Sequence, residues 1–277
     1  MKNVLVPIEM HSSVESVLST AYLLAKNFDG YVEGMPLGPD LPDLVAFDMP
    51  VSWTMADQNT WKELADEAHR RFEVFMTEHA VPVHAEGGKG LSYGFAGDRS
   101  FGDSQVASYA RVFDITVLGR PGAERGDPRM ATAEACLFES GRPVLLAPPE
   151  APKSVGETIV IAWNHSMESA RSTAFAMPLL QRAKKVFILT IEAHNVEGPS
   201  AEQLAQMLAN HGVQAEVIHR LGKNRAAGLA YLEDSASLGA DLMIKGAYTQ
   251  SRLRQMIFGG ATAHILAKAS LPVLMSN

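Results

Sequence analysis

Three segments of this 277-residue chain occur twice, in the same order. "NVLVPIEMHS", from Asn3, resembles "TIVIAWNHS", from Thr158; each is a short apolar run that closes on a polar turn with His-Ser. "DITVLGRPG", from Asp114, resembles "DLMIKGAYT", from Asp241; each is Asp, four strand-like residues, then Gly. "GRPVLLAPP", from Gly141, resembles "SLPVLMSN", from Ser270. Collinear matches of this kind make a duplication, so whatever one copy folds into, the other must fold into as well.

The spacing shows where the copies differ. Ser12 and Ser166 stand 154 apart, Gly119 and Gly246 only 127 apart, so the first copy carries 27 more residues between its first and fourth strands. The surplus falls in the Pro-, Asp- and Met-rich stretch 35–58, which reads as a loop with a short helix. "APPEAPKSVGE", from Ala147 to Glu157, is a Pro-rich linker, which sets domains at 1–149 and 156–277.

Within each copy, Val-, Ile- and Leu-rich runs alternate with helical patterns, as in a parallel sheet covered on both faces. In the second copy the expected strands are 158–163, 185–191, 215–221, 241–245 and 272–275. The expected helices are 166–183, capped by Ser166, then 201–211, 225–238 and 261–269. In the first copy the expected strands are 4–8, 31–34, 81–85, 115–118 and 143–147, with helices at 14–26, 61–79, 101–112 and 131–139. Right-handed crossovers make this an α/β doubly wound architecture. The last strands, 143–147 and 272–275, are expected to pair across the copies as an intramolecular pseudo-dimer, because exposed they would be unprotected edges.

Composition narrows the function. A net charge of −7 argues against nucleic-acid binding, which needs a basic face. No apolar run approaches the roughly 20 residues that span a bilayer, so no membrane partner is expected. The short, quickly polar N-terminus reads as a first strand rather than a signal peptide, which places the chain in the cytoplasm. The lone Cys136 sits in an apolar helical pattern and reads as a buried, inert thiol.

Ligands of open parallel sheets sit beyond the C-terminal ends of the strands. In the second copy that edge carries Ala162–Ser166 and Gly246–Gly260, facing each other across a crevice. The latter loop, "GAYTQSRLRQMIFGG", leads into a helix start. Unpaired N–H groups there favour an anion, Gly259 and Gly260 permit close approach, and Thr262 offers a hydroxyl. Arg252 and Arg254 suit phosphate oxygens, and the Asn164 amide suits a ribose or an adenine edge. Each feature also has a plain reading: a tight turn at Gly246, helix packing at Gly259, a solvated basic face, a helix cap at Thr262.

The full length outside the insertion resembles a tandem universal stress protein. The quoted stretch is similar to that family's post-strand-4 motif, Gly-x-x-Gly-x9-Gly-(Ser/Thr), with Gly246 first and Gly259 at the expected spacing. Thr249 replaces the second Gly and Gly260 the Ser/Thr, while Thr262 matches a Thr often found two residues on. The resemblance implies two tandem doubly wound, adenine nucleotide alpha-hydrolase-like domains in a stress-response protein. Ala162, Trp163 and Asn164 would line the adenosine side of bound ATP or a related adenine nucleotide. Lys245, Gly246, Thr249, Gly259, Gly260, Ala261 and Thr262 would line the phosphate side, with Arg252 beside them. Asn164 stands where ATP-binding relatives carry Asp and is a poorer magnesium ligand, which leaves Mg²⁺ open. The first copy keeps Gly119 and Gly122 but lacks the later glycines, Glu124 and Asp127 add negative charge, and Glu9 leaves a carboxylate at the end of its first strand; it reads as degenerate, either structural or specific for another ligand. Family dimerisation strands also make further self-association as a homodimer an expectation. The role implied is binding and regulation with at most weak ATPase activity. The contrasting class is a nucleotide-free scaffold acting through protein contacts.

Other motifs carry less. "GLSYG", from Gly90, fits the G-x-S-x-G of serine hydrolases, but its glycine-rich surroundings read as a flexible loop over the crevice rather than a strand-to-helix elbow. Neither GxGxxG after a strand nor GxxxxGK[ST] occurs. His11 and His165 recur at equivalent turns without a third ligand at metal spacing, and read as turn residues beside helix caps. Trp53 and Met55 suggest an apolar patch or a lid.

Overall fold

The computed structural model describes residues 1–38, 53–97, 101–122, 124, 126–192, 195–221, 226–247 and 260–277, with the backbone alone at 53–61, 260, 261 and 263. Of the 35–58 insertion, residues 39–52 lie outside that set, as do the side chains of Trp53 and Met55.

The first half runs β1 (Asn3–Ile8), α1 (Val14–Phe28), β2 (Tyr31–Pro36), α2 (Trp53–Glu78), β3 (Ser92–Phe95), α3 (Asp103–Tyr109), β4 (Ile115–Gly119), α4 (Met130–Glu139) and β5 (Val144–Ala147). The second runs β6 (Thr158–Ala162), α5 (Met167–Phe175), α6 (Met177–Leu180), β7 (Lys185–Ile191), α7 (Ala201–Asn210), β8 (Glu216–Arg220), α8 (Ala227–Ser237), β9 (Leu242–Gly246), α9 (Gly260–Lys268) and β10 (Val273–Ser276). The strands form one ten-stranded sheet ordered β3-β2-β1-β4-β5-β10-β9-β6-β7-β8. Every pairing is parallel except β5 with β10, which is antiparallel with Leu145 opposite Leu274. The order 3-2-1-4-5 thus appears in the first half and its mirror order in the second.

The apolar runs feed both faces because successive strand residues point opposite ways. Val4, Val6, Ile8, Ile159, Ile161 and Trp163 pack with α1, α2, α6 and α7. Leu5, Val160 and Ala162 pack with α3, α4, α8 and α9. The repeated Asp before each fourth strand has a mechanical role. Asp114 Oδ2 accepts from the backbone N–H of Lys2 at 2.6 Å and of Asn3 at 3.0 Å. Asp241 accepts from Thr158 N at 2.8 Å, Glu157 N at 3.0 Å and Ser154 Oγ at 2.6 Å. Each carboxylate satisfies otherwise orphaned donors and so ties the start of strand one to the start of strand four.

Two expectations are corrected. The third strand of the first half is Ser92–Phe95, not 81–85, and "GLSYG" therefore enters a strand rather than a free loop. Val83 stays 66% exposed, and its segment borders β3 instead: Tyr93 N donates to the Pro82 carbonyl at 3.0 Å and His84 N to the Tyr93 carbonyl at 2.7 Å. Gly94 sits mid-strand because a Cβ there would collide with the Tyr31 hydroxyl. The continuous helix expected over 166–183 is broken into α5 and α6 at Ala176. Pro178 has no N–H to give the carbonyl four residues back, so the ladder ends ahead of it and restarts with Pro in its first turn.

Candidate functional site

In each half the chain steps outward from its first strand to the second and third, then returns to lay the fourth on the other side. The helices after strands one and four consequently leave toward opposite faces, and the sheet edge between them opens as a crevice. One crevice lies beyond β1 and β4, the other beyond β6 and β9.

The second crevice is bounded by Ala162, level with Lys245 in the β6–β9 register. Ser166 caps α5, its Oγ accepting from Ser169 N at 3.2 Å and donating to Asn164 Oδ1 at 2.8 Å. The Asn164 oxygen is thus committed to its own turn, while its Nδ2 donates to no described residue. His165 takes a left-handed φ of 68° and its Nδ1 lies 3.1 Å from the Val196 carbonyl, which suits the turn role expected of it. Trp163 is 3% exposed and its Nε1 donates to the Pro199 carbonyl at 3.0 Å. Its ring floors an apolar hollow of about 180 Å³ with Ala170, Pro199 and Met207, between α5 and α7. That places the indole on the face away from α9.

Opposite stands the start of α9. Lys245, at the end of β9, is only 9% exposed. Its Nζ donates to the Gly246 carbonyl at 2.7 Å and to Thr262 Oγ1, in the first turn of α9, at 2.9 Å. Among the described residues no carboxylate comes within ion-pair distance of it. Burial pulls its pKa down to about 8, and the Glu168 charge only partly opposes this. A desolvated ammonium therefore sits beside a helix N-terminus, itself partly positive, and among the described residues only the more distant Glu168 charge offsets it in part.

Gly246 has a separate reason to be glycine. A Cβ there would lie 2.5 Å from Ser169 N and 2.6 Å from the Glu168 carbonyl carbon, so the first turn of α5 rests directly on the strand. The structure thus brings Ala162, Lys245, Gly246 and Thr262 together, with Gly260 and Ala261 opening α9. Thr249, Arg252, Arg254 and Gly259 lie outside the described residues.

The first crevice has the same walls and a different charge state. Arg129 precedes α4; its backbone N–H donates to Glu9 Oε2 at 3.2 Å and its Nε lies 2.9 Å from Glu9 Oε1. Asp103 Oδ1, at the start of α3, lies 3.5 Å from the same guanidinium and accepts from Thr132 Oγ1 at 2.6 Å. The N–H groups of Nε and Nη2 are not aimed along these lines, so the attraction is mainly one of charge. Glu9 thereby places a carboxylate of the chain itself at the helix start. His11 closes the same crevice: a Cβ on Gly119 would meet its ring at 3.1 Å. Burial lowers its pKa to about 4, and its Nδ1 lies 3.1 Å from both Ser13 N and Ser13 Oγ. No described group of three or more His, Cys, Asp or Glu side chains could hold a metal. Cys136 is buried, and burial raises its pKa to about 12, assisted by the charges of Asp103 and Glu139, which suits an inert thiol.

Sequence reasoning placed Lys245 at the site but not its burial or its lack of a described counter-charge. It missed the Glu9–Arg129–Asp103 cluster, whose members are brought together only by the sheet. Glu9 was legible as a carboxylate at the end of the first strand, but nothing in the sequence named Arg129 or Asp103 as its partners.

No family model matches the chain. Over 169 residues it is 27% identical to Universal stress protein Slr1230 of Synechocystis sp., a match covering 58% of this chain and 57% of that protein. The chain thus spans less than two thirds of the length of the curated relative it matches. Its fold is similar to the crystal structure of a universal stress protein from Archaeoglobus fulgidus, with a TM-score of 0.69 at 15% identity, over 99% of this chain and 98% of that one. The resemblance to universal stress proteins stands, and the mixed α/β architecture, here a largely parallel ten-stranded sheet, is similar to that of the Archaeoglobus structure. No described helix is long and apolar enough to cross a membrane.

Proposed function

We propose that this is a stress-response protein of two domains, 1–149 and 156–277, that binds ATP or a related adenine nucleotide in the second. The phosphates lie against the backbone amides at the start of α9, and binding regulates rather than catalyses. The observation that carries this reading is Lys245: a buried ammonium beside Thr262 with no described carboxylate partner. An unbalanced buried cation is costly, and a phosphate would balance it while using the donors of the helix start. The first crevice supports the reading by contrast, since there the chain supplies the anion itself through Glu9. The two domains meet through β5 and β10 as an intramolecular pseudo-dimer; self-association as a homodimer and a cytoplasmic location complete the proposal.

A nucleotide-free scaffold is the second reading. It is favoured by Asn164, whose oxygen is held by Ser166, and by Gly246, which packing against α5 already requires. Thermal unfolding with and without millimolar ATP separates the two. A ligand at 100 times its Kd stabilises by about 2.7 kcal/mol. An upward shift, together with an adenine nucleotide found by mass spectrometry of the purified protein, supports binding. An unchanged midpoint across the millimolar range turns the choice to the scaffold.

A further inference from the structure

The nucleotide reading leaves open what selects the ligand's charge. Lys245 is the one member of the crevice that answers it on geometry. Its Nζ reaches Thr262 Oγ1 at 2.9 Å, so it stands at the first turn of α9 rather than in solvent. Its other described acceptor is the Gly246 carbonyl, which is neutral. An ammonium has three donors, and a carbonyl and a hydroxyl occupy two. Among the described residues, the charged group that acts on it is Glu168 on α5, and only at a distance. Its register neighbours are Ala162 on β6 and Met275 on β10, and Thr262 is its contact on α9; none of these titrates near neutral pH. In the duplicated position of the first half stands Leu118, so this charge belongs to the second crevice alone.

We infer that Lys245 is the specificity-determining cation of the second crevice: it admits the ligand by its phosphate charge and takes up a proton as that ligand binds. This deepens the nucleotide reading and rests on it. The direction follows from electrostatics. Burial destabilises the ammonium, an arriving phosphate stabilises it, and the ligated lysine holds its proton more tightly than the free one. The free lysine titrates near pH 8, so at pH 8.5 it carries its proton in about a quarter of molecules and at pH 7.5 in about three quarters. Binding a polyphosphate should draw in roughly 0.7 proton per site at pH 8.5 and roughly 0.2 at pH 7.5. The phosphate's own last ionisation lies well below pH 8.5, so at that pH it adds no proton exchange and the uptake reports the lysine.

The test is titration calorimetry of the full chain with metal-free ATP at both pH values, each in two buffers of different ionisation heat. Proton uptake that grows from pH 7.5 to 8.5 supports the inference. Lys245→Met should bind ATP at least about tenfold more weakly with no uptake, while adenosine, which lacks phosphate, should bind both proteins alike. Lys245→Arg keeps the charge but cannot be deprotonated, so it should bind ATP without uptake. If the Met variant does not fold, wild type and the Arg variant still decide the matter. ATP binding to wild type without proton exchange at pH 8.5, or equal uptake in wild type and the Arg variant, overturns the role of Lys245 and leaves nucleotide binding intact. Absence of any ATP heat or thermal shift in wild type removes the nucleotide reading, and this inference with it.

Discussion

Replacing Lys245 by Met should stabilise the ligand-free protein at neutral pH and destabilise it at high pH. Burial pulls the amine from 10.5 to about 8, and between those values the unfolded chain binds a proton that the native protein does not. Native stability therefore rises with pH across that window, and below it the whole ionisation cost, about 3 kcal/mol, is present. Met removes that cost and fits the apolar surroundings, but it leaves the Gly246 carbonyl and Thr262 hydroxyl without their donor. Those losses amount to about 1 kcal/mol each. The variant should be about 1–2 kcal/mol more stable than wild type at pH 7, equal to it near pH 9, and less stable by about the same margin near pH 10.5. Urea unfolding followed by tryptophan fluorescence, with Trp163 reporting from the same half, measures the difference at each pH. A Met variant that is less stable at pH 7, or a difference that does not change with pH, would refute the account of Lys245 as an uncompensated buried charge.

Other perturbations follow from the same geometry. Glu9→Gln leaves the Arg129 guanidinium, among the described residues, with only Asp103; stripping one partner from a largely buried pair should cost about 2–4 kcal/mol, read as a lowered unfolding midpoint. His11 is held neutral by burial with a pKa of about 4, so the unfolded state alone takes up a proton as pH falls below 6.5. Stability should drop by up to about 3 kcal/mol between pH 6.5 and 4, and His11→Gln should flatten that slope in a pH series of melts. Asp241→Asn halves the acceptor capacity that Thr158, Glu157 and Ser154 use; a loss of about 1–2 kcal/mol and faster amide exchange at Thr158 are expected.

What the sequence disclosed and what it hid divide along a physical line. Lys185–Ile191 was readable to the residue because a strand buried on both faces needs a continuous apolar run. Ser92–Phe95 was not, because an edge strand bordered by the 82–84 segment can be short, polar and glycine-containing, whereas the neighbouring Val81 and Val83 imitate a strand. The break at Pro178 was visible in principle, but the apolar pattern runs straight through it. Crevice positions could be named from the order of strands and the motif spacing. Their charge state could not, since Glu9 and Arg129 are 120 residues apart and meet only because β1 lies beside β4. Burial of Lys245 was equally hidden: a lysine at a strand end ordinarily keeps its head in water.

The two crevices show how one duplicated architecture can carry two charge arrangements. Both are set by the same strand order, and both end at a helix start that favours negative charge. In the first, the carboxylate of Glu9, just past the end of β1, meets that demand from within and is itself held by Arg129. The helix start there already has its carboxylate, and the His11 ring lies over Gly119. In the second, Lys245 stands where the first half has Leu118, and among the described residues no carboxylate lies within ion-pair distance of it, Glu168 acting only from farther off. A protein selected for stability alone would replace that lysine with an apolar residue, as its own first half does. Keeping the charge buried makes sense if its cost is met when an anion arrives, so the instability of the empty site and the affinity of the filled one are the same free energy seen from two states.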